Sequence, residues 1–369
     1  MVLSPCGNII LHGGSQERKY LNDGYIIVSN KLCAMNYENV KTMITENIKN
    51  NALQEIRLPY ECKALYINAI HELVPFPYAK YLMTRSYVVS QFAKLKKRTP
   101  AYFKKDDSLV FKYVDSDYHL IKITNYFTEE QRMQCSIKTN PTPYALYKSK
   151  SFLRKMLSNL KTVSSFIMRE AIWKYSTECN LFKSTLVVDI CKKYKVKSYL
   201  DISAGWGDRL IGALAAGVDK YVGYDPNTKL QKGHRQIQKL FDKKKVSKIY
   251  YEPFQTANIP VDTFDLVLSS PPYFDFENYS SMKTQSDKTF VSIDSWLNGF
   301  LLVSLNKAWA GLKVGGHMII HIDDITGCNI VKPMTDHFKT LNGSSKVSIM
   351  YVDGHKKKLR RMFHIQKLK

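Results

Sequence analysis

The residues Ser270-Pro271-Pro272-Tyr273 close the largely apolar run Phe264-Asp265-Leu266-Val267-Leu268-Ser269. A short apolar run stopped by two prolines reads as a buried strand that delivers a rigid turn at its carboxyl end. In an open α/β sheet that edge is where ligands bind. A polar residue, two prolines and an aromatic suit one chemistry in particular, the presentation of an exocyclic amine to an electrophile such as a methyl group. The lone pair of such a nitrogen is delocalised into its ring, so the amine must be held and oriented. Ser270 and the Pro271 carbonyl could accept its two hydrogens, and Tyr273 offers a face on which an extruded base can stack. The prolines lack a backbone donor and fix φ, which keeps the acceptors aimed. The plain alternative is an ordinary proline turn after a strand, and context decides between them.

That context begins upstream, at Tyr199-Leu200-Asp201-Ile202-Ser203-Ala204-Gly205-Trp206-Gly207-Asp208-Arg209-Leu210. A strand passes through a glycine turn into a helix, Leu210–Ala216. Gly205 and Gly207 let the backbone pass close to a ligand, and the helix N-terminus offers unpaired N–H groups. A second strand, Lys220–Tyr224, ends in Asp225, and an acidic residue there grips ribose hydroxyls. The turn departs from G-x-G-x-x-G, because Leu210 stands where a third glycine would fall. Asp208 and Arg209 read as a helix-start pair without a ligand role.

Asp201-x-Ser203-x-Gly205-x-Gly207, then Asp225, then Ser270-Pro271-Pro272-Tyr273 resembles the amino-methyltransferases that use S-adenosyl-L-methionine, a group that includes DNA adenine-N6 and cytosine-N4 enzymes and some RNA N-methyltransferases. The stretch Asp201–Asn227 also resembles uncharacterised methylases of phages and large DNA viruses. The resemblance covers residues 190–369, with Ser203 standing where many members carry an aromatic. It implies that Asp201 accepts from the donor's ammonium group and that Asp225 holds the ribose. It also implies that Phe254 or Gln255 contacts the adenine, although Phe254 equally fits the core. It further implies a catalytic set of Ser270, Pro271, Pro272 and Tyr273, and by frequency within that family the expected target is adenine N6 in DNA. Cytosine N4, an RNA base, or an inactive nucleic-acid-binding subunit of the same fold remain alternatives, as does a protein-glutamine methyltransferase. Methyl transfer needs no metal.

Composition bears on the partner. The chain has 369 residues with 55 Lys+Arg against 32 Asp+Glu, a formal charge of +23, and 24 tyrosines among its aromatics. Excess positive charge interleaved with aromatics suits phosphate contacts beside base stacking, which argues for DNA or RNA and against a protein substrate. Lysine and tyrosine richness also follows from an AT-rich genome. The basic clusters include Lys94–Arg98, Lys229–Lys248 and, nearest the end, Lys356-Lys357-Lys358 with Arg360-Arg361. The last is the candidate nucleic-acid contact. The seven cysteines are odd in number and lack C-x-x-C pairing, which reads as reduced thiols in a cytoplasmic or nuclear protein rather than a disulfide frame or zinc site. No stretch reaches the roughly eighteen apolar residues of a membrane span. Residues Met1–Gly14 lack the basic segment of a signal peptide, so secretion is not expected.

The elements that must position these residues alternate cleanly in the second half: strands at Tyr199–Ile202, Lys220–Tyr224, Lys248–Tyr251, Phe264–Leu268 and His317–Ile322, then a hairpin of Lys346–Val352 and Leu359–Gln366 across Asp353-Gly354. The expected fold is α/β: a Rossmann-like methyltransferase sheet with a C-terminal antiparallel hairpin over 141–369, preceded by a mixed α+β accessory or target-recognition domain over 1–140. In that first part a short strand is expected at Gly24–Val28, helices at Tyr37–Asn50 and Ala64–Lys97, the second interrupted near Pro75 and Pro77, and a hairpin of Ser108–Val114 and Tyr118–Thr124 around Asp115-Ser116-Asp117. A boundary is expected at Asn140–Pro143, followed by a helix over Ser151–Thr177.

Overall fold

A computed structural model describes residues 72, 76, 78–81, 83–113, 117–158, 162–163, 165–353 and 359–369, together with the strands Val2–Leu3, Ile9–Ile10, Ile26–Ile27 and Ile56–Arg57. The chain divides into two compact units, one of residues 1–82 and 139–178, the other of 83–138 and 179–369. The single boundary expected at 140 is thus replaced by three crossings. The reason is that residues 83–138 supply strands and helices to the larger unit.

In the larger unit nine strands form one sheet. They are β1 (Tyr102–Lys105), β2 (Ser108–Phe111), β3 (Ser198–Asp201), β4 (Lys220–Tyr224), β5 (Ser247–Tyr250), β6 (Phe264–Ser269), β7 (Leu312–Ile320), β8 (Ser348–Asp353) and β9 (Leu359–Gln366). Their spatial order is β5-β4-β3-β6-β7-β9-β8-β2-β1. The five strands from β5 to β7 run parallel, and β9 then inserts antiparallel between β7 and β8. This is the expected α/β sheet with its antiparallel hairpin. The direction of winding reverses between β3 and β6, so the carboxyl ends of those two strands, at Asp201 and Ser269, flank the crevice where such sheets take ligands.

The inner strands β3 and β6 are buried on both sides because both sheet faces are covered there, whereas the edge strand β1 is exposed along its length. On one face Tyr199, Leu266, Leu268 and Ile319 pack under α1 (Arg85–Lys96), α3 (Ser184–Lys193) and α4 (Asp208–Ala216). On the other, Leu200, Val267, Met318 and Ile320 pack against Trp296, α6 (Leu302–Gly311) and α7 (Val331–Thr340). The remaining helices used below are α2 (Asn125–Arg132) and α5 (Gln231–Phe241). Cys191, on α3, is buried as its apolar setting predicts.

Three local expectations change. The hairpin expected around Asp115–Asp117 lies earlier: β1 and β2 pair antiparallel across Asp106-Asp107, with Asp106 at φ 51°, and Asp117–Ile121 is helical. Both aspartate pairs are good turn residues by sequence, and Asp117 is instead buried at the start of a helix. In the smaller unit the helix expected over Ser151–Thr177 is two helices, Lys150–Ser158 and Ser165–Tyr175, with the strand Thr162–Val163 between them. That strand pairs with Ile56–Arg57, which pairs in turn with Ile26–Ile27, inside the stretch expected to be extended. Of the helix expected over Ala64–Lys97, the described part holds a 3-10 turn at Ala79–Tyr81 and α1, which starts where the Thr84 hydroxyl accepts from the Tyr87 amide at 3.2 Å. Tyr37–Asn50 lies outside the described residues.

Candidate active site

The carboxylate of Asp201, at the end of β3, is wholly buried and surrounded by donors. It accepts from Arg209 Nε at 2.8 Å, Tyr221 OH at 2.9 Å, Ser269 Oγ at 2.8 Å and the Ser203 amide at 3.2 Å. Four donors saturate a carboxylate. Asp201, expected to meet a ligand's ammonium group, is instead an internal anchor that ties β3, β4, β6 and α4 together. It does not line the cleft that opens beside it.

That cleft measures about 1330 Å³, its open mouth included, and Ser203, Gly205, Asp225, Phe254, Gln255, Ser270, Pro272 and Tyr273 all line it. Residues expected from three separate motifs are therefore brought to one place. Gly207, at φ 93° and ψ 10°, starts α4 in the left-handed region. A Cβ there would sit 2.7 Å from Ile237 Cδ1, so only glycine fits without a shift. Asp225 follows β4 and braces the turn, its Oδ2 accepting from the Gly205 amide at 2.8 Å and its Oδ1 from the Asn227 amide at 2.9 Å. Burial pushes this carboxyl up to about 6, and the two amides limit the rise. The Gly205 carbonyl can only accept, so His234 Nε2 donates to it at 2.8 Å and Tyr251 OH donates to Nδ1 at 3.2 Å. Burial holds His234 down at about 4, which keeps the ring neutral.

Phe254 is buried with its ring edge-on to Tyr224, centroids 5.1 Å apart, so it serves the core and the cleft wall together. Gln255 beside it carries a buried Oε1 that has no hydrogen-bond partner among the described residues. An unpaired buried acceptor at a cleft costs on the order of 1–3 kcal/mol unless a ligand donates to it.

The proline turn leaves β6 as the sequence predicts. Pro271 is buried behind the surface that Ser270, Pro272 and Tyr273 present. The turn continues through Phe274 at φ 50°, whose ring packs on Trp296, and closes with the Phe276 amide donating to the Tyr273 carbonyl at 3.0 Å. Tyr273 OH lies 3.2 Å and Ser270 Oγ 3.4 Å from His321 Nδ1. Burial, with Arg360 and Arg209 nearby, pushes His321 down to about 4. In the neutral tautomer with the proton on Nε2, Nδ1 is an acceptor within reach of both hydroxyls. Burial also raises the Tyr273 phenol, which therefore stays protonated.

His321 was not singled out in the sequence because β7 was expected to run through Ile322. The strand stops at Ile320, and His321 is the first residue past its carboxyl end, the same edge that carries Asp201 and Ser270. Asp208 and Arg209, which the sequence reads as a helix start, both line the cleft. The signal was available: they follow Gly207 directly, in the first turn of the helix that faces the ligand edge.

Beyond the turn, Glu277–Asn278 pairs antiparallel with Ser136–Ile137, and the Lys138 amide donates to the Phe276 carbonyl at 2.9 Å. Tyr279 donates to Glu277 and meets Trp206 edge to face. Of the basic residues near the end, Arg360 is exposed and lines the cleft. Arg361, on the opposite side of β9, pairs with Asp323. Lys356, Lys357 and Lys358 lie outside the described residues. Asp324 Oδ1 accepts from the amides of Ile330 and Val331 at 2.7 and 2.8 Å, at the start of α7. Among the described residues, no helix is long and apolar enough to cross a membrane.

No protein-family model matches the chain, and no curated protein matches it. Among solved structures it is similar to a SAM-dependent O-methyltransferase from Thermotoga maritima, at 13% identity over 52% of this chain and 68% of that one, with a TM-score of 0.34. A tRNA (m1A58) methyltransferase from Aquifex aeolicus is similar at 12% identity over 52% and 71%, with a TM-score of 0.36. An rRNA methylase from Streptococcus thermophilus is similar at 10% identity over 50% and 96%, with a TM-score of 0.35. At these values the argument for function rests on the residues of the cleft.

Proposed function

We propose that this chain is a methyltransferase that moves a methyl group from S-adenosyl-L-methionine to an exocyclic amine of a nucleic-acid base, adenine N6 in DNA being the first choice. The observation that carries the proposal is one cleft with two differently equipped ends. One end has the glycine turn, Asp225 and Gln255. The other has Ser270, Pro272 and Tyr273.

The residues present suit the donor. Asp225 would take the ribose hydroxyls, whose donation favours its ionised form. The unpartnered Oε1 of Gln255 would accept from the adenine amine, and Phe254 would wall the ring. The donor, when bound, supplies an already activated methyl group on its sulfonium. Everything else is positioning, which is where orientation contributes most. Ser270 Oγ accepts one hydrogen of the amine; Pro271, buried behind the cleft surface, keeps the turn rigid without touching the substrate. His321, neutral and in the tautomer protonated on Nε2, would accept from the Ser270 or Tyr273 hydroxyl and leave the Ser270 lone pairs free to face the substrate. Tyr273 supplies the stacking face. The methylated nitrogen is a strong acid while still protonated and loses its proton to water, so no protein base is required. Exposed Arg360 at the cleft mouth, together with a charge of +23, supports a phosphate-bearing substrate over a protein one.

Incubation with methyl-tritiated donor and DNA, RNA or protein, followed by nucleoside analysis, tests the proposal. Label in N6-methyladenine from DNA is expected. Label in N4-methylcytosine or in an RNA nucleoside moves the activity to another base. Label in protein alone, or donor binding without transfer to any substrate, overturns it.

A further inference from the structure

Beside the mouth of the cleft, cations and aromatic rings alternate along a line that leads away from it. Arg360, exposed on β9, lines the cleft, and it stands opposite Val352 of β8. The next carbonyl of β8, that of Asp353, accepts from Lys183 Nζ at 2.6 Å. Lys183 lies over the Tyr113 ring, 4.1 Å from its centroid. Lys112 precedes Tyr113, and its amide donates to the Ala101 carbonyl at 2.8 Å, which brings it beside the start of β1. Its ammonium lies over the Phe103 ring, 5.2 Å from the centroid. β1 is the outermost strand of the sheet and is exposed along its length, with Phe103 at 42%, followed by Lys104 and Lys105. From β9 through β8 and β2 to β1 is three strand spacings, about 14 Å.

Two features set this line apart from a solvated charged edge. Lysines on an edge strand discourage pairing with another chain, which accounts for Lys104 and Lys105. Such protection gives no reason to expose Phe103, because an open aromatic ring invites the same association. Near the cleft, Lys183 and Arg360 are held close enough to repel. Burial and that repulsion bring the Lys183 ammonium down to about 8, and an anion between the two cations would offset the strain. Cations alternating with rings suit a single strand of nucleic acid, which offers both phosphates and the faces of unpaired bases, whereas a duplex keeps its bases stacked on one another. We propose that Arg360, Lys183, Lys112 and Phe103 form a track for the unpaired strand flanking the target base, the cations contacting its phosphates and Phe103 stacking one of its bases. The inference rests on the proposed nucleic-acid substrate and makes that substrate single-stranded beside the target.

The test is fluorescence anisotropy with a labelled oligothymidylate of about 12 residues, alone and annealed to its complementary oligoadenylate. Thymine has no exocyclic amine, so binding of the single strand reads the track apart from methyl transfer. The wild type is expected to hold the single strand more tightly than the duplex. Phe103→Ala should weaken the single strand by about 5–20-fold and leave the duplex within about twofold. Phe103→Trp, which keeps a stacking face, should restore the affinity and controls for folding. Lys112→Gln combined with Lys183→Gln should lower the slope of log affinity against log salt by about 1.4, at roughly 0.7 for each phosphate contact on a single strand. If these variants all hold oligothymidylate as the wild type does, the track is wrong and the methyl-transfer reading survives. Equal affinity for the duplex, with an equal loss in Phe103→Ala, removes the single-strand assignment. A wild type that sediments as a dimer and becomes monomeric in Phe103→Ala, with oligothymidylate binding unchanged, makes β1 a self-pairing edge instead. If the wild type binds neither form of nucleic acid, the nucleic-acid reading fails and takes the track with it.

Discussion

Replacing Gly207 with alanine tests the turn on which the site is built. Two costs combine at this position. The backbone sits at φ 93° and ψ 10°, and left-handed conformations cost a residue with a Cβ roughly 1–2 kcal/mol. The new Cβ would also lie 2.7 Å from Ile237 Cδ1 and 3.3 Å from His234 Cδ2. Ile237 is wholly buried on α5, so the methyl cannot swing into solvent, and overpacking a filled core costs about 1–3 kcal/mol. Gly207→Ala should therefore destabilise by about 2–5 kcal/mol. Gly205→Ala isolates the first cost. Gly205 also has a left-handed backbone, at φ 57°, yet its Cβ would find Arg209 Nη2 at an ordinary 3.5 Å, so about 1–2 kcal/mol is expected. Trimming Ile237 to valine removes the clashing carbon. That change alone costs about 0.5–1.5 kcal/mol, but in the Gly207→Ala background it should recover about 1 kcal/mol or more. Urea unfolding followed by circular dichroism, with midpoints compared at a common slope, gives all four values. A Gly205→Ala loss equal to that of Gly207→Ala would refute the reasoning, and so would strict additivity in the Gly207→Ala, Ile237→Val pair.

Asp201→Asn should cost about 3–5 kcal/mol in the same unfolding assay, because it leaves the Arg209 guanidinium buried without its counter-charge; a loss under about 1 kcal/mol would show that Asp201 is not the anchor. Donor affinity should fall as pH drops from 7 to 5. Asp225 protonates near 6, donation from the ribose hydroxyls favours its ionised form, and His234 and His321, near 4, stay neutral throughout. Calorimetry at pH 5 should show a loss of about tenfold, and a flat profile would remove Asp225 from the site. Arg360→Gln should weaken binding of any DNA or RNA strand and lower the slope of log affinity against log salt by about one, with donor binding unchanged; an unchanged slope would place the phosphate contact elsewhere.

The parallel sheet was legible because its inner strands are short apolar runs ended by a polar or glycine turn. Buried strands must look that way when both faces are covered. The glycine turn, Asp225 and the proline turn were legible because backbone geometry restricts which residues can stand there. Asp201 shows where such reading stops. Its position at a strand end was correct, but its partners are Tyr221, Ser269 and Arg209, from three other elements, and no local spacing reveals that they converge on it. His321 was missed for a neighbouring reason. One residue of strand length decides whether that ring lies in the sheet or faces the cleft. The hairpin of β1 and β2 was displaced because Asp106-Asp107 and Asp115-Ser116-Asp117 are equally good turns in the sequence, and nothing local distinguishes them.

The membership of residues 83–138 in the larger unit bears on how this protein can be cut. Asn140-Pro141 looks like a natural place to begin a minimal catalytic fragment. A fragment starting there would lose β1 and β2 and so leave β8 as an unpaired sheet edge, its N–H and C=O groups open to a second molecule. It would also lose Ser136–Ile137, the strand against which the segment after Tyr273 is laid, and α2, whose Thr128 hydroxyl donates to the Trp206 carbonyl inside the glycine turn at 2.8 Å. Such a fragment would retain every motif residue and still lack the framework that aims them, so its inactivity or aggregation would say nothing against the chemistry assigned to the cleft.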